Sequence, residues 1–176
     1  MKNILFAALL LFVGTSLLAQ ETKTEKVLFK LPNVTVTDMK GNKVSTEKLF
    51  NDGKPFIISF WATWCKPCIK ELTTIADVYE DWQEETGVKL YAVSIDDSRS
   101  TAQVKTLVSG KGWNYDILLD PNSDFKRAMN VNAVPHTFVV NGKGEIVWQH
   151  TSFSEGAELD LINVVRKVNA GEPITN

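Results

Sequence analysis

The most constraining feature of this sequence is a pair of cysteines that stands between a largely apolar segment and an amphipathic one. Residues 56–61 read Phe-Ile-Ile-Ser-Phe-Trp, which is typical of a buried strand. After Cys65 and Cys68, apolar side chains recur every three or four positions from residue 69 to residue 82, and Gly87 follows. This spacing predicts a helix with one apolar face that ends at Gly87. Cys65 is therefore expected at the helix N-terminus and Cys68 one turn further along.

The rest of the chain alternates strand-like and helix-like segments over a length that suits one domain. Helices between the early strands imply parallel pairing, whereas Asn-Gly-Lys-Gly at 141–144 predicts an antiparallel hairpin. In the second helix, Ser100 and Gln103 are expected to form a capping box, and Gly110 is expected to end the helix. Further strands are predicted at 27–30, 34–37, 88–95, 117–119, 136–140 and 145–149, and further helices at about 100–109, 123–129 and 161–168.

The first 19 residues are predicted to be a secretory signal peptide. Lys2 supplies a positive charge, residues 4–13 form an uninterrupted apolar run, and Ala19 precedes the expected cleavage site. A ten-residue helix spans roughly 15 Å, about half of a bilayer core. An uncleaved signal anchor is therefore the less favoured alternative, and contact with a membrane is expected only in that case.

Composition excludes several classes of protein. With 44% hydrophobic and 23% charged residues, the chain is not intrinsically disordered. A net charge of −2 gives no electrostatic support for binding nucleic acid. Two cysteines are too few for a disulfide-rich secreted scaffold.

The position of the cysteines favours a redox-active pair. A helix N-terminus and the neighbouring Lys66 both favour a thiolate at Cys65, and Pro67 fits the first helical turn without loss of a hydrogen bond. A structural disulfide would constrain only a very short loop. A zinc site would need nitrogen ligands from His136 and His150, which lack metal-finger spacing. A c-type haem attachment would need a histidine directly after Cys68.

The sequence around these cysteines resembles the thioredoxin superfamily, and more narrowly the TlpA/ResA-like periplasmic thiol–disulfide oxidoreductases. The resemblance extends over residues 31–169 and is carried by Phe-Trp-Ala-Thr-Trp-Cys-Lys-Pro-Cys at 60–68, by Glu71 and by Val-Pro-His-Thr-Phe at 134–138. It implies a thioredoxin-like α/β fold, with a central mixed sheet flanked by helices, an N-terminal strand extension and a central α-β insertion. We therefore expect a lead-in segment at 20–30 and one thioredoxin-like domain at 31–170.

The resemblance also implies roles for individual residues. Cys65 would attack a substrate disulfide, and Cys68 would resolve the resulting mixed disulfide. Pro135 would follow a cis peptide bond, and the backbone of Val134 would pair with an extended substrate chain.

A departure from cytosolic thioredoxins concerns the proton acceptor. Ser59 stands where those proteins carry a buried aspartate, and a hydroxyl cannot act as a carboxylate base near neutral pH. Glu71, one turn after Cys68, matches a glutamate of the TlpA/ResA-like proteins and could take the proton of Cys68. The alternative is an ordinary glutamate on a solvated helix face.

The segments next to the cysteines are expected to contact substrate. Trp64, Lys66 and Pro67 precede or separate the cysteines, and His136 follows the predicted cis-proline. His136 could tune substrate contact, although a half-exposed strand residue is the favoured interpretation.

The function implied by the resemblance is reduction of disulfides in other exported proteins, with apocytochromes c as the family precedent, in the periplasm. A membrane thiol donor would supply electrons, and no cofactor is needed because both electrons reside on the sulfurs. Pro67 before the second cysteine is typical of reducing relatives, whereas strongly oxidising ones have histidine there.

Two other functions are alternatives. A peroxiredoxin-like peroxidase needs Pro-x-x-x-Thr/Ser-x-x-Cys, but Ala62 is the third residue before Cys65 and residues 60–63 contain no proline. The other alternative is a binding or chaperone module with incidental thiols.

Overall fold

An eight-stranded mixed sheet forms the centre of the structure, a computed structural model that describes residues 27–174. The predicted signal peptide and residues 20–26 of the predicted lead-in lie outside the described residues. The strand order is β1-β8-β7-β4-β5-β6-β2-β3. The strands are β1 Phe29–Lys30, β2 Thr35–Asp38, β3 Lys43–Ser45, β4 Phe56–Trp61, β5 Lys89–Ser94, β6 Asp116–Leu119, β7 His136–Val140 and β8 Glu145–Thr151. The helices are α1 Lys66–Thr86, α2 Thr101–Lys111, α3 Asp124–Ala128 and α4 Ala157–Ala170, and a 3-10 turn covers Thr46–Lys48.

The pairing of the strands confirms the predicted fold class. β4 pairs in parallel with β5, and β5 in parallel with β6, as helical connections require. β7 pairs antiparallel with both β4 and β8, so the late hairpin joins the same sheet. Helix α2 and strand β6 are the central α-β insertion, and β1 to β3 are the N-terminal extension. The boundaries of the lead-in segment at residue 30 and of the thioredoxin-like domain at residue 170 stay predictions.

Alternate side chains of β4 enter two apolar cores, one on each face of the sheet. On one face, Ile57 and Trp61 pack with residues of α1, α2 and α4. On the other face, Phe56, Ile58 and Phe60 pack with α3 and the N-terminal strands. All six residues of β4 are buried, which explains its nearly continuous apolar sequence.

Three details of the predicted secondary structure are wrong. The short strand β3 was not expected, because its three residues are mostly polar and it is recognisable only by its pairing with β2. The second helix continues through Gly110 and ends at Gly112, whose φ is 66°. The expected capping box is also absent, since the Ser100 hydroxyl donates to Asp97 at 3.2 Å and makes no cap hydrogen bond.

Within residues 27–174, the helices are all too short or too polar to cross a membrane.

The backbone geometry at the end of α2 predicts that replacing two nearby glycines by alanine has opposite effects on stability. Gly110 has helical geometry and open space around a Cβ, so Gly110→Ala should stabilise the protein by about 0.5–1 kcal/mol. Gly112 has equally open space but left-handed backbone, so Gly112→Ala should destabilise by about 1–2 kcal/mol. Urea unfolding of both variants measures the difference. Destabilisation by Gly110→Ala would contradict the observed helix end.

Candidate active site

Cys65 and Cys68 form a disulfide across the first turn of α1, with their Cα atoms 5.3 Å apart. Cys65 is the N-cap residue, and its Sγ accepts a hydrogen bond from the backbone N–H of Cys68 at 3.3 Å. Pro67 lies in the first turn, where its missing N–H costs no helical hydrogen bond. Cys65 is 5% exposed and Cys68 is fully buried. The two sulfurs therefore differ in access to an incoming group.

The turn before Cys65 is held by a buried carboxylate at the end of β5. Asp96 accepts from the backbone N–H of Thr63 at 2.9 Å and from its hydroxyl at 2.6 Å. The Ser94 hydroxyl donates to the same carboxylate at 2.8 Å. This positioning role was missed from the sequence, although parallel pairing of β4 and β5 brings the two strand ends together.

Val134 and Pro135 lie against the disulfide from a distant part of the chain. Their peptide bond is cis, as the resemblance implied. The Val134 carbonyl oxygen lies 3.7 Å from Cys65 Sγ, and Pro135 is buried. Val134 remains partly exposed, so its backbone borders the accessible side of the disulfide.

Glu71 is buried between α1 and the sheet, so its interpretation as a residue of a solvated helix face is wrong. Its carboxyl accepts hydrogen bonds from the Thr137 hydroxyl at 2.8 Å and the Ser59 hydroxyl at 3.5 Å. Burial raises the pKa of Glu71 from 4.5 to about 7, although both hydrogen bonds act in the opposite direction. Ser59 stands where cytosolic thioredoxins have an aspartate. Here its hydroxyl donates to the carboxyl of Glu71 instead of supplying a carboxyl itself. Thr137 was not recognised from the sequence.

The residues expected to contact substrate divide into two groups. Lys66 and Pro67 are exposed, and Trp64 is 68% exposed, so all three border the disulfide at the surface. His136 is only 7% exposed, so the half-exposed interpretation is wrong. Its ring stacks on Phe138, and its Nε2 lies 3.2 Å from Gln149 Oε1. Burial lowers the pKa of His136 and leaves little of its surface for substrate.

No group of three or more His, Cys, Asp or Glu side chains in the described part of the chain is placed to hold a metal ion.

The burial of Glu71 predicts a specific pH dependence of stability. Its pKa is higher in the folded protein than in the unfolded chain, so its contribution to stability is complete below about pH 4.5 and is lost as pH rises through about 7. The oxidised protein should therefore lose about 3 kcal/mol of unfolding free energy over this range relative to Glu71→Gln. Urea unfolding from pH 4 to pH 8 measures the loss, with the exposed residue Glu155→Gln as control. The same pH dependence in Glu71→Gln and wild type would contradict the burial of a titrating carboxyl.

Comparison with known proteins agrees with this geometry. The AhpC/TSA family matches residues 27–149. The thiol-disulfide oxidoreductase ResA of Bacillus subtilis (strain 168) is 29% identical over 136 residues, which are 77% of this chain and 73% of ResA. ResA of Bacillus thuringiensis (strain Al Hakam) is 31% identical over 118 residues, which are 67% of this chain and 65% of that protein.

A solved structure is also similar. The solution structure of an uncharacterized thioredoxin-like protein from Porphyromonas gingivalis is 54% identical, with a TM-score of 0.71, and the match covers 80% of this chain and 92% of that one. The chain therefore belongs to the AhpC/TSA family and has the thioredoxin-like fold and Cys-x-x-Cys pair of a thiol–disulfide oxidoreductase of the ResA type.

Proposed function

We propose that this protein reduces disulfides in other exported proteins by dithiol–disulfide exchange at Cys65 and Cys68. The observation that carries the proposal is the disulfide across the first turn of α1, one helical turn from the buried carboxyl of Glu71. This arrangement supplies an attacking sulfur, a resolving sulfur and a proton acceptor.

Cys65 is the attacking residue in the reduced protein. Its N-cap position at the positive end of α1 favours the thiolate, and Lys66 adds a positive charge on the exposed side. The thiolate attacks one sulfur of the substrate disulfide, so a bond forms between Cys65 and the substrate while the substrate disulfide breaks. The other substrate sulfur leaves as a thiolate and takes a proton from solvent.

Cys68 completes the reduction. Its sulfur attacks Cys65 Sγ, which forms the intramolecular disulfide and releases the second substrate sulfur. Cys68 is fully buried, so water has poor access to its proton. Ionised Glu71, one turn along α1, accepts this proton. Because its pKa is about 7, Glu71 can accept a proton in this step and return it to Cys68 when the disulfide is reduced again.

Substrate binds over the exposed side of the disulfide. Trp64 offers a large exposed apolar surface, while Lys66 and Pro67 form the adjoining edge. The backbone of Val134 pairs with an extended substrate segment, since it is partly exposed and its carbonyl oxygen lies 3.7 Å from Cys65 Sγ. Backbone pairing tolerates different substrate sequences. Pro135 fixes this segment beside the sulfurs.

The expected setting is the periplasm, reached through the signal peptide predicted at residues 1–19. Disulfides form in such compartments, so the oxidised pair must be re-reduced by a membrane thiol donor. Apocytochromes c are the substrates suggested by the resemblance to TlpA/ResA-like proteins. The proposal needs no cofactor, because the electrons pass between sulfur atoms.

Replacement of the resolving cysteine tests the order of the two attacks. Cys68→Ser should leave the first attack intact and accumulate mixed disulfides between Cys65 and exported proteins. Non-reducing electrophoresis and mass spectrometry after expression with the native signal identify the partners and the linked cysteine. Cys65→Ser is the matched control and should trap none of them.

Mixed disulfides that form through Cys68 in the Cys65→Ser variant, and not through Cys65, would reverse the assignment. Unchanged activity of the protein in cells after Cys65→Ser, with no mixed disulfides trapped by Cys68→Ser, would instead support a binding or chaperone module with incidental thiols.

A further inference from the structure

A row of polar side chains crosses the sheet beside Glu71. Ser59 on β4 lies opposite Thr137 on β7, and Thr137 lies opposite His150 on β8. Directly opposite residues in a sheet share a face and are close neighbours. The row therefore runs from the hydrogen-bond partners of Glu71 to His150.

His150 lies in the half of β8 that follows its paired segment with β1. Within residues 27–174, strand β1 pairs with β8 at Ile146 and Glu145 and does not reach His150. His150 is partly exposed, whereas the residue opposite Ser59 on the other side, Ala92 of β5, is apolar and buried. The polar row thus leads in one direction, towards solvent at the β8 edge.

A small cavity joins this row to Glu71. Its volume is about 10 Å³, close to the roughly 10–15 Å³ that one water molecule requires. Its walls include three groups that can exchange protons with a water molecule, namely Glu71, His150 and Glu158 of the first turn of α4. Ile75, Trp148 and Leu161 provide apolar walls.

Two of these polar groups have buried atoms that lack a protein partner. His150 Nε2 and Glu158 Oε2 are both inaccessible, and neither has a hydrogen-bond partner among residues 27–174. Buried polar atoms without partners are costly, so a water molecule bound by two to four such groups is the usual solution. Glu71, His150 and Glu158 together supply that number of contacts.

We propose that this cavity binds a water molecule that connects Glu71 to His150 and Glu158, and that the three groups form a proton path from the buried active site to the β8 edge. The inference rests on the proposed role of Glu71 as the acceptor of the Cys68 proton. His150 passes protons between the water and solvent, since one nitrogen of an imidazole accepts a hydrogen while the other donates one. Glu158 orients the water by accepting one of its hydrogens.

The path serves the step in which substrate occupies the exposed side of the disulfide, where the proposed function places it. Cys68 is fully buried and Glu71 is 5% exposed, so neither exchanges protons freely with solvent. Below about pH 7 Glu71 is mostly neutral and must release its proton before it can accept that of Cys68. That proton passes from Glu71 to the water, from the water to His150 Nε2, and from His150 to solvent.

Other ionisable side chains around Glu71 are engaged elsewhere or face away from it. Lys70 of α1 pairs at the surface with Glu155, which precedes α4. The Tyr115 hydroxyl donates to the backbone carbonyl of Leu72 at 3.0 Å. His136 lies next to Thr137 in β7 and therefore on the opposite face of the sheet.

The test follows the two attacks with an aromatic disulfide, 5,5′-dithiobis(2-nitrobenzoate), in equimolar amount with the reduced protein. Attack by Cys65 releases the first coloured thiolate, and attack by Cys68 on the mixed disulfide releases the second. In the double variant His150→Gln/Glu158→Gln, the second phase should be at least about tenfold slower than wild type at pH 6 and similar to wild type at pH 9, where Glu71 is already ionised. The first phase should not change.

Added imidazole separates a proton path from a structural effect. At constant pH and ionic strength, imidazole should accelerate the second phase of the double variant at pH 6 and leave wild type and the control Glu155→Gln unchanged. The single variants His150→Gln and Glu158→Gln should each slow the second phase less than the double variant does. They provide a second measurement if the double variant folds poorly. A second phase at the wild-type rate at pH 6, or one slowed but insensitive to imidazole, would overturn the proton path.

Glu71→Gln, measured in parallel, distinguishes this inference from the proposed function. A slow second phase in Glu71→Gln together with a wild-type rate in the double variant overturns the path alone. An unchanged second phase in Glu71→Gln overturns the role of Glu71 and the path with it.

Discussion

The site depends on the burial of strand β4 on both faces and along both edges. β4 pairs with β5 on one side and β7 on the other, and its side chains fill both cores. α1 begins shortly after this strand ends, so a rigid element fixes Cys65 at the helix N-terminus. The same pairing places Ser59 beside Thr137, and both hydroxyls reach the carboxyl that α1 brings over the sheet. The positions of the redox pair and of its proposed proton acceptor therefore both follow from one strand–helix junction.

Glu71 shows how a buried carboxyl is accommodated without a buried positive charge. Loss of hydration favours the neutral form, and two hydroxyls partly compensate by donating to the carboxyl. A nearby lysine or arginine would instead hold the carboxyl ionised at neutral pH. The balance keeps Glu71 able to change protonation near neutral pH, which is the property that the proposed transfer of the Cys68 proton requires.

Local sequence patterns were sufficient to predict the parts of the molecule that depend on local structure. The spacing of apolar residues identified β4, α1 and the hairpin from β7 to β8, and position relative to α1 identified the cysteines. The predicted helix end at Gly110 was wrong because a glycine can also lie in the last turn of a helix. Only backbone geometry distinguishes Gly110 from Gly112, the residue that ends the helix. Resemblance to a family identified Glu71 and Pro135, but periodicity alone did not determine that Glu71 faces the sheet.

The contributions of Asp96, Thr137 and His150 depend on strand register, which the sequence does not specify. Asp96 reaches Thr63 because two parallel strands end side by side, and Thr137 reaches Glu71 because β7 pairs with β4 in one particular register. His136 was misjudged for the same reason, since the core on its face of the sheet comes from α3 and the N-terminal strands.

The most direct test of the proposal that this protein reduces its substrates is the reduction potential of the Cys65–Cys68 pair. Pro67 cannot stabilise the reduced form as a histidine would, and the exposed charge of Lys66 is screened by solvent and salt. Equilibration of a protein of residues 20–176 with dithiothreitol or glutathione buffers, followed by tryptophan fluorescence, gives the midpoint. We expect a value nearer that of thioredoxin, about −270 mV, than that of strong oxidants, about −120 mV. A midpoint close to the oxidant value would make the protein a disulfide donor and contradict the reductase assignment.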